Sequence, residues 1–137
     1  AIQEMERAIK KLGGIDLAVL GLGENGHIGF NEKGSKIDEG TKISALDPET
    51  IVQNKTLLRD VDFPASAMTL GLRTLLSSQE ALLMVSGESK ANALADALFR
   101  PRQFVEDCPA ITLRHMAHTG KKVKIIADRA ALSRCDI

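Results

Sequence analysis

Ile2, Met5, Ile9 and Leu12 recur at spacings of three and four with charged residues between them, which predicts an amphipathic helix lying on a core. Gly13-Gly14 closes it. No capping residue and no Met precedes that helix, so it begins in mid-course and the native polypeptide is expected to extend before Ala1. Asp16 to Gly21 is a short, nearly all-apolar run bounded by glycine, the pattern of a strand buried on both faces of a parallel sheet. Ala81 to Ser86 repeats it, ends at Gly87, and leads into Glu88 to Phe99, where Ala91, Leu94, Ala95 and Leu98 fall at helical spacing. That is a βα unit. A third strand, Val123 to Ala127, follows the turn Gly120-Lys121-Lys122, and Asp128 stands as an N-cap for a short terminal helix from Arg129. Between these parts Gly29, Gly34 and Gly40 break any helix, Pro48 opens one from Asp47 onward, and Pro64 sets off an apolar stretch beginning at Ala67. Strands alternating with helices predict an α/β sheet.

With 137 residues, no internal repeat and no Ser/Gly/Pro linker, the chain reads as one domain or part of one. Eighteen basic residues balance eighteen acidic ones and no basic run exceeds Lys121-Lys122, so no field gathers polyanions. The aromatic residues are all Phe, which removes the Trp and Tyr that stack on bases or line a membrane interface. Apolar runs such as Leu17 to Leu20 and Ala81 to Val85 fall far short of the ~20 residues of a membrane span, and no signal-peptide pattern opens the chain. Nucleic acid and membrane are therefore disfavoured as partners, and the expected compartment is the cytoplasm. Cys108 and Cys135 lack disulfide-scaffold or metal-ligand spacing and read as reduced thiols. His115 and His118 form His-x-x-His without further placed ligands, so no metal is expected.

The chemistry concentrates after the first strand. Gly21-Leu22-Gly23-Glu24-Asn25-Gly26 fits G-x-G-x-x-G, but Ile28 to Gly34 carries two glycines and no helical period where a dinucleotide fingerprint must open a helix. A P-loop also fails, because no Gly-Lys-Ser/Thr ends the run. What remains is a set of proton-handling groups at the C-terminal end of a parallel strand, namely Asn25, His27, Asn31 and Glu32. His27 can move protons near neutral pH and Glu32 can orient or charge it.

Gly21 to Glu32 (GLGENGHIGFNE) resembles the signature loop of the glucosamine-6-phosphate deaminase/isomerase family. Pro64 through Thr74-Leu75-Leu76, Gly87-Glu88-Ser89-Lys90-Ala91 and Ile125-Ile126-Ala127-Asp128 are similar to further family segments, in register over nearly the whole chain. Related sugar-phosphate lactonases share the Gly-His core, while Phe30-Asn31-Glu32 favours the deaminase/isomerase branch.

The resemblance implies a Rossmann-like open, mostly parallel sheet with flanking helices, residues 1–137 forming the C-terminal portion of a larger domain. It implies conversion of glucosamine- or galactosamine-6-phosphate to a ketose phosphate and ammonia, by ring opening and aldose–ketose isomerisation, with no cofactor. His27 matches the ring-opening histidine, Glu32 its supporting carboxylate, Asn25 a position where many members have Asp, Gly26 a substrate-binding glycine, and Lys90 a phosphate-binding lysine. Lys33 stands where Pro is usual. A second phosphate-binding cation should fall between Asn54 and Arg59, and spacing does not choose between Lys55 and Arg59. Ser35 and Lys42 fall near effector-binding positions of regulated members, with Ser44 where a basic residue is expected. The family's phosphate loop and the aspartate that shuttles the proton between C2 and C1 belong to a preceding half. The expected partner is a small sugar phosphate, with a homo-oligomer left open. The alternatives are a non-catalytic sugar-phosphate-binding or assembly module and a 6-phosphogluconolactonase-like hydrolase.

Overall fold

The computed structural model of the chain describes residues 1–59, 62–101 and 104–137. In chain order its elements are α1 (Ile2–Lys11), β1 (Leu17–Gly21), β2 (Lys42–Ala45), α2 (Pro48–Leu58), β3 (Ser66–Thr69), α3 (Leu72–Leu76), β4 (Glu80–Val85), α4 (Ala91–Leu98), α5 (Thr112–His118) and β5 (Lys122–Ala127). Single 3-10 turns at Glu88–Lys90 and Pro109–Ile111 lead into α4 and α5. β1, β4 and β5 form a parallel sheet in the order β1-β4-β5, while β2 and β3 form a separate antiparallel ribbon. The α/β class and the mostly parallel sheet expected from the sequence are both present.

The pleat explains where the core lies. Register sets Ala18 beside Ala81 and Leu20 beside Leu83, so these residues share one face with Val85. Leu72 and Leu75 of α3, Leu94 and Ala97 of α4, and Leu113 and Met116 of α5 pack on that face as one cluster. Leu72, Leu83 and Leu94 have no exposed surface.

The opposite face departs from expectation. Leu17, Val19, Met84 and Ile126 share it and remain 50–55% exposed, although the unbroken apolar run predicts cover on both sides. Burial in β1 alternates strictly, because among the described residues the core-forming helices pack on one side of the sheet. The helix at the start of the chain forms where the spacing placed it, yet none of its residues is buried, and Met5 and Leu12 face outward. A polar strap secures it instead. Oε1 of Glu6 accepts the backbone N–H of Thr41 at 2.7 Å, its hydroxyl at 2.5 Å, and the Thr74 hydroxyl at 2.6 Å.

These donors, Thr41 first and Thr74 next, hold the Glu6 carboxyl below the usual carboxylate range against the opposing effect of burial. A carboxyl lowered by folding stabilises the fold above its unfolded pKa, and that contribution disappears as pH falls through the folded pKa. Glu6→Gln should therefore flatten the acid limb of a plot of unfolding free energy against pH. Urea titrations of variant and parent from neutral into acidic buffer measure it, and parallel acid limbs would show that the strap contributes nothing.

At the C-terminal end, residues 129–134 form turns rather than the expected helix. Asp128 does accept the Ala131 N–H at 2.8 Å, but its other oxygen takes the Ser86 hydroxyl at 2.6 Å and the Gly87 N–H at 3.0 Å. Its carboxylate ties the exit of β5 to the turn after β4 instead of capping a helix. No described helix is long and apolar enough to cross a membrane.

Candidate active site

β1 delivers the glycine loop at its C-terminal end, where open α/β sheets bind ligands. The loop closes on itself: Gly23 N–H donates to His27 O at 2.9 Å and Gly26 N–H to Gly23 O at 3.0 Å. It is then pinned from outside. Ala110 N–H donates to Gly26 O at 2.9 Å, Asn31 Nδ2 donates to Ile28 O at 3.1 Å and Leu70 O at 2.8 Å, and Phe30 N–H reaches the Thr69 hydroxyl at 3.0 Å. Asn31 is thus a buried clamp rather than a ligand-facing group. No helix opens on this loop, since α2 begins only at Pro48, and the dinucleotide reading fails on geometry as it did on sequence.

His27 is held on its Nδ1 side. Asn25 Oδ1 lies 2.6 Å from Nδ1, the Thr50 hydroxyl 3.3 Å and Glu32 Oε2 3.6 Å. A carboxamide oxygen only accepts, so Nδ1 carries the proton and Nε2 is the nitrogen free to take one up. The amide's orientation follows from its other end, where Nδ2 stands 2.8 Å from both Glu32 Oε2 and Asp47 Oδ2. Turned over, it would set its oxygen against two carboxylates.

Burial pushes His27 below the usual imidazole value, Glu32 opposes that, and Lys90 adds to it. Neutral imidazole is therefore favoured near pH 7. Burial alone would raise the Glu32 carboxyl, but Thr50, Asn25, His27 and Asp47 together hold it below its ordinary range. Asp47 moves the opposite way, raised by burial and then by Glu32, with Asn25 and Lys33 opposing.

His27 opens onto a cleft of about 720 Å³ whose walls include Gly23, Glu24, Asn54, Thr56 and Lys90. That volume suits a small organic ligand. Lys90 lines the cleft and closes the 3-10 turn that runs into α4, so it stands at the positive end of that helix.

The structure thus brings His27 and Lys90 to one cleft and sets Asn25 and Glu32 behind the imidazole. Gly26, expected to bind substrate, is buried and absent from the described lining. Its N–H and C=O are already used within the loop and by Ala110, and its φ of 87° explains the glycine. The lining includes neither Lys55 nor Arg59. The wall of α2 contributes Gln53, Asn54 and Thr56 instead, and among the described lining residues Lys90 is the one cation. Lys42 Nζ donates to Ser35 Oγ at 2.9 Å and pairs with Glu39. His115 and His118 are exposed on α5, with His118 Nδ1 2.8 Å from Arg114 O, and no group of three metal-ligating side chains occurs among the described residues. Cys108 packs under Gly26, its thiol pushed up to about 11 by burial, which keeps it protonated and unreactive.

Asp47 and Thr50 escaped sequence reading. Asp47 registered only as the residue before a helix-opening proline, and an Asx-Pro pair gives no sign that the side chain turns away from the helix.

Residues 1–123 match the family model of glucosamine-6-phosphate isomerases/6-phosphogluconolactonase. The glucosamine-6-phosphate deaminase of Marinomonas sp. is 41% identical over 133 residues, which cover 96% of this chain and 47% of that protein. That of Halalkalibacterium halodurans is 40% identical over 134 residues, covering 96% and 52%. The chain spans about half the length of the curated relatives it matches. The solved structure of a monomeric glucosamine-6-phosphate deaminase superposes with a TM-score of 0.85 at 36% identity, over 97% of this chain and 53% of that one. A 6-phosphogluconolactonase from Trypanosoma cruzi, with a TM-score of 0.65 at 17% identity over 90% and 42% of the two chains, shares the fold. With the family model matched over residues 1–123 and these relatives matched over almost all of its length, the chain belongs to the glucosamine-6-phosphate isomerase/6-phosphogluconolactonase family.

Proposed function

We propose that this chain carries the ring-opening and phosphate-gripping side of an amino-sugar phosphate deaminase/isomerase site. The observation that carries the reading is one cleft holding a buried, neutral imidazole with a free Nε2 and a lysine at a helix entrance. In the closed sugar the anomeric hydroxyl must lose a proton while the ring oxygen gains one. A neutral Nε2 takes the first and returns it to the second, so His27 ends as it began. Glu32, kept ionised beside it, stabilises the imidazolium that forms between the two transfers. The proton shuttle between C2 and C1 falls to a base in the preceding half, after which water replaces the amine and the products are a ketose phosphate and ammonia.

Ammonia release by the full-length protein, measured with glucosamine-6-phosphate, galactosamine-6-phosphate and 6-phosphogluconolactone side by side, tests the proposal. Release from an amino sugar supports it. Hydrolysis of the lactone alone would replace it with the hydrolase reading, and phosphate-dependent sugar binding without turnover with the binding-module reading.

Lys90→Ala removes a full charge but leaves α4 a strong helix former at its entrance. If Lys90 pairs with the 6-phosphate, the loss of a charge-assisted contact should weaken binding of the phosphorylated sugar by roughly 1.5–3 kcal/mol, about ten- to a hundredfold. The unphosphorylated sugar should bind no worse. Calorimetric titration of both ligands makes the comparison, and an unchanged affinity for the phosphorylated sugar would leave Lys90 an ordinary helix lysine.

A further inference from the structure

Asn25 Nδ2 donates to two carboxylates, Glu32 Oε2 at 2.8 Å and Asp47 Oδ2 at 2.8 Å, and the amide has two hydrogens to offer them. Glu32 belongs to the same loop. Asp47 does not: it stands 22 residues away, at the N-cap position of α2, with the extended backbone (φ −63°, ψ 148°) that an N-cap adopts. An aspartate there ordinarily accepts the N–H of the second or third helical residue. This one makes no such bond, and α2 starts without a side-chain cap while the Asp47 carboxylate turns to Asn25.

We propose that Asp47 is a positioning residue for His27, acting through Asn25. With Glu32 it takes both amide hydrogens, fixes the amide oxygen on Nδ1 of His27, and so reserves Nε2 for proton transfer in the cleft. The proposal rests on the reading of His27 as the ring-opening group.

With Glu32 as sole acceptor, the amide would keep a hydrogen free and the rotational order of its plane would weaken. With two, each donor is matched to one acceptor, and the reversed orientation places an oxygen against both carboxylates. Two carboxylates on one nitrogen also repel each other, and the groups around them divide that cost. Asn25 and Lys33 face Asp47; Asn25, Thr50 and His27 face Glu32; Lys90 acts on His27 from across the cleft. Burial, then a hydrogen bond to Glu32 and its charge, favour the protonated form of Asp47, so acid neutralises Asp47 before Glu32. Among the described residues no donor reaches the buried Oε1 of Glu32.

Asp47→Ser in the full-length protein is the test, because serine restores an ordinary N-cap and keeps α2 intact. Turnover of the closed-ring substrate should fall roughly ten- to a hundredfold, the range for losing a partner that orients a working histidine, with KM changed less than about twofold. Nitrogen-15 spectra of His27 should pass from one tautomer, protonated at Nδ1, to a mixture. Asn25→Asp alone gathers three carboxylates and should also lower turnover. Joined to Asp47→Ser it returns the cluster to two carboxylates with an acceptor on Nδ1, and should recover at least about tenfold of the loss. Unchanged His27 spectra in Asp47→Ser, or a double variant no better than the product of the singles, overturns the proposal. A shifted tautomer with equal losses on closed-ring and acyclic substrates would keep Asp47 as a positioning residue and sink the ring-opening role instead.

Discussion

Replacing His27 by Gln is expected to lower turnover of a closed-ring amino-sugar phosphate by roughly 10²–10⁴-fold, the usual contribution of a positioned acid–base group. An acyclic analogue, which needs no ring opening, should lose far less. Glutamine can still accept or donate at the Asn25 end of the pocket, but it cannot take up a proton at the other, so packing survives while chemistry does not. The pH profile supplies a second reading of the same residue. Because burial holds His27 below the usual imidazole value, the neutral form that accepts a proton persists to lower pH, and the acid limb of kcat/KM should lie below that of an exposed imidazole. Steady-state rates on both substrates decide the role. Equal losses would remove His27 from ring opening.

The second large effect is expected at Gly23, which has no polar side chain and no place in the reaction. A Cβ there would stand 2.1 Å from Nδ1 of His27, 2.2 Å from Cε1 and 2.6 Å from Cγ. The backbone at Gly23 is not left-handed, so proximity alone demands the glycine. The ring cannot yield cheaply, because Asn25 holds its Nδ1 and the loop is closed by the bond from Gly23 N–H to His27 O. Gly23→Ala must push the imidazole by an ångström or so, and a misplacement of that size commonly costs ~10²-fold in rate. Overpacking of this kind destabilises by about 1–3 kcal/mol, so the folded protein should persist at assay temperature. Thermal denaturation beside kinetics separates the two effects. Turnover unchanged in a folded Gly23→Ala would mean that the working position of His27 lies elsewhere.

The architecture was legible where a single periodicity governs a segment. β4 and β5 lie within a residue of their expected limits, the first helix ends at Gly13-Gly14 as its spacing required, and Pro48 opens α2. Burial was less legible. An unbroken apolar run such as Leu17 to Leu20 states that a strand can be covered on two faces, and only the packing of α3, α4 and α5 decides that here one face is open. The ribbon of β2 and β3 is short and its burial runs against its polarity, with Ile43 and Met68 exposed while Ser44 and Thr69 are buried, and its pairing is set by contacts distant in sequence. At the site, His27, Asn25 and Glu32 could be picked out because they crowd into one short loop. Asp47 and Thr50 enter the same network from another element, and no spacing within a loop can announce a partner brought in by folding. Spacing leaves Lys55 and Arg59 undecided, and the described lining of the cleft carries neither, with Gln53, Asn54 and Thr56 on its α2 side.

β1 and β4 are neighbours in the sheet, yet roughly sixty residues separate Leu17 from its partner Glu80, and the glycine loop, the ribbon, α2 and α3 all lie inside that excursion. Loop closure grows only with the logarithm of length, so doubling a crossover of about thirty residues adds roughly 0.6 kcal/mol. The entropic charge for carrying nearly all of the glycine loop's supports between two adjacent strands is accordingly small. Its kinetic counterpart is larger: the β1–β4 pairing is non-local, and such contacts form late and slowly. The loop, Asp47 and Thr50 can converge locally before the sheet closes, whereas Lys90, which lies beyond β4, can face His27 only after it has.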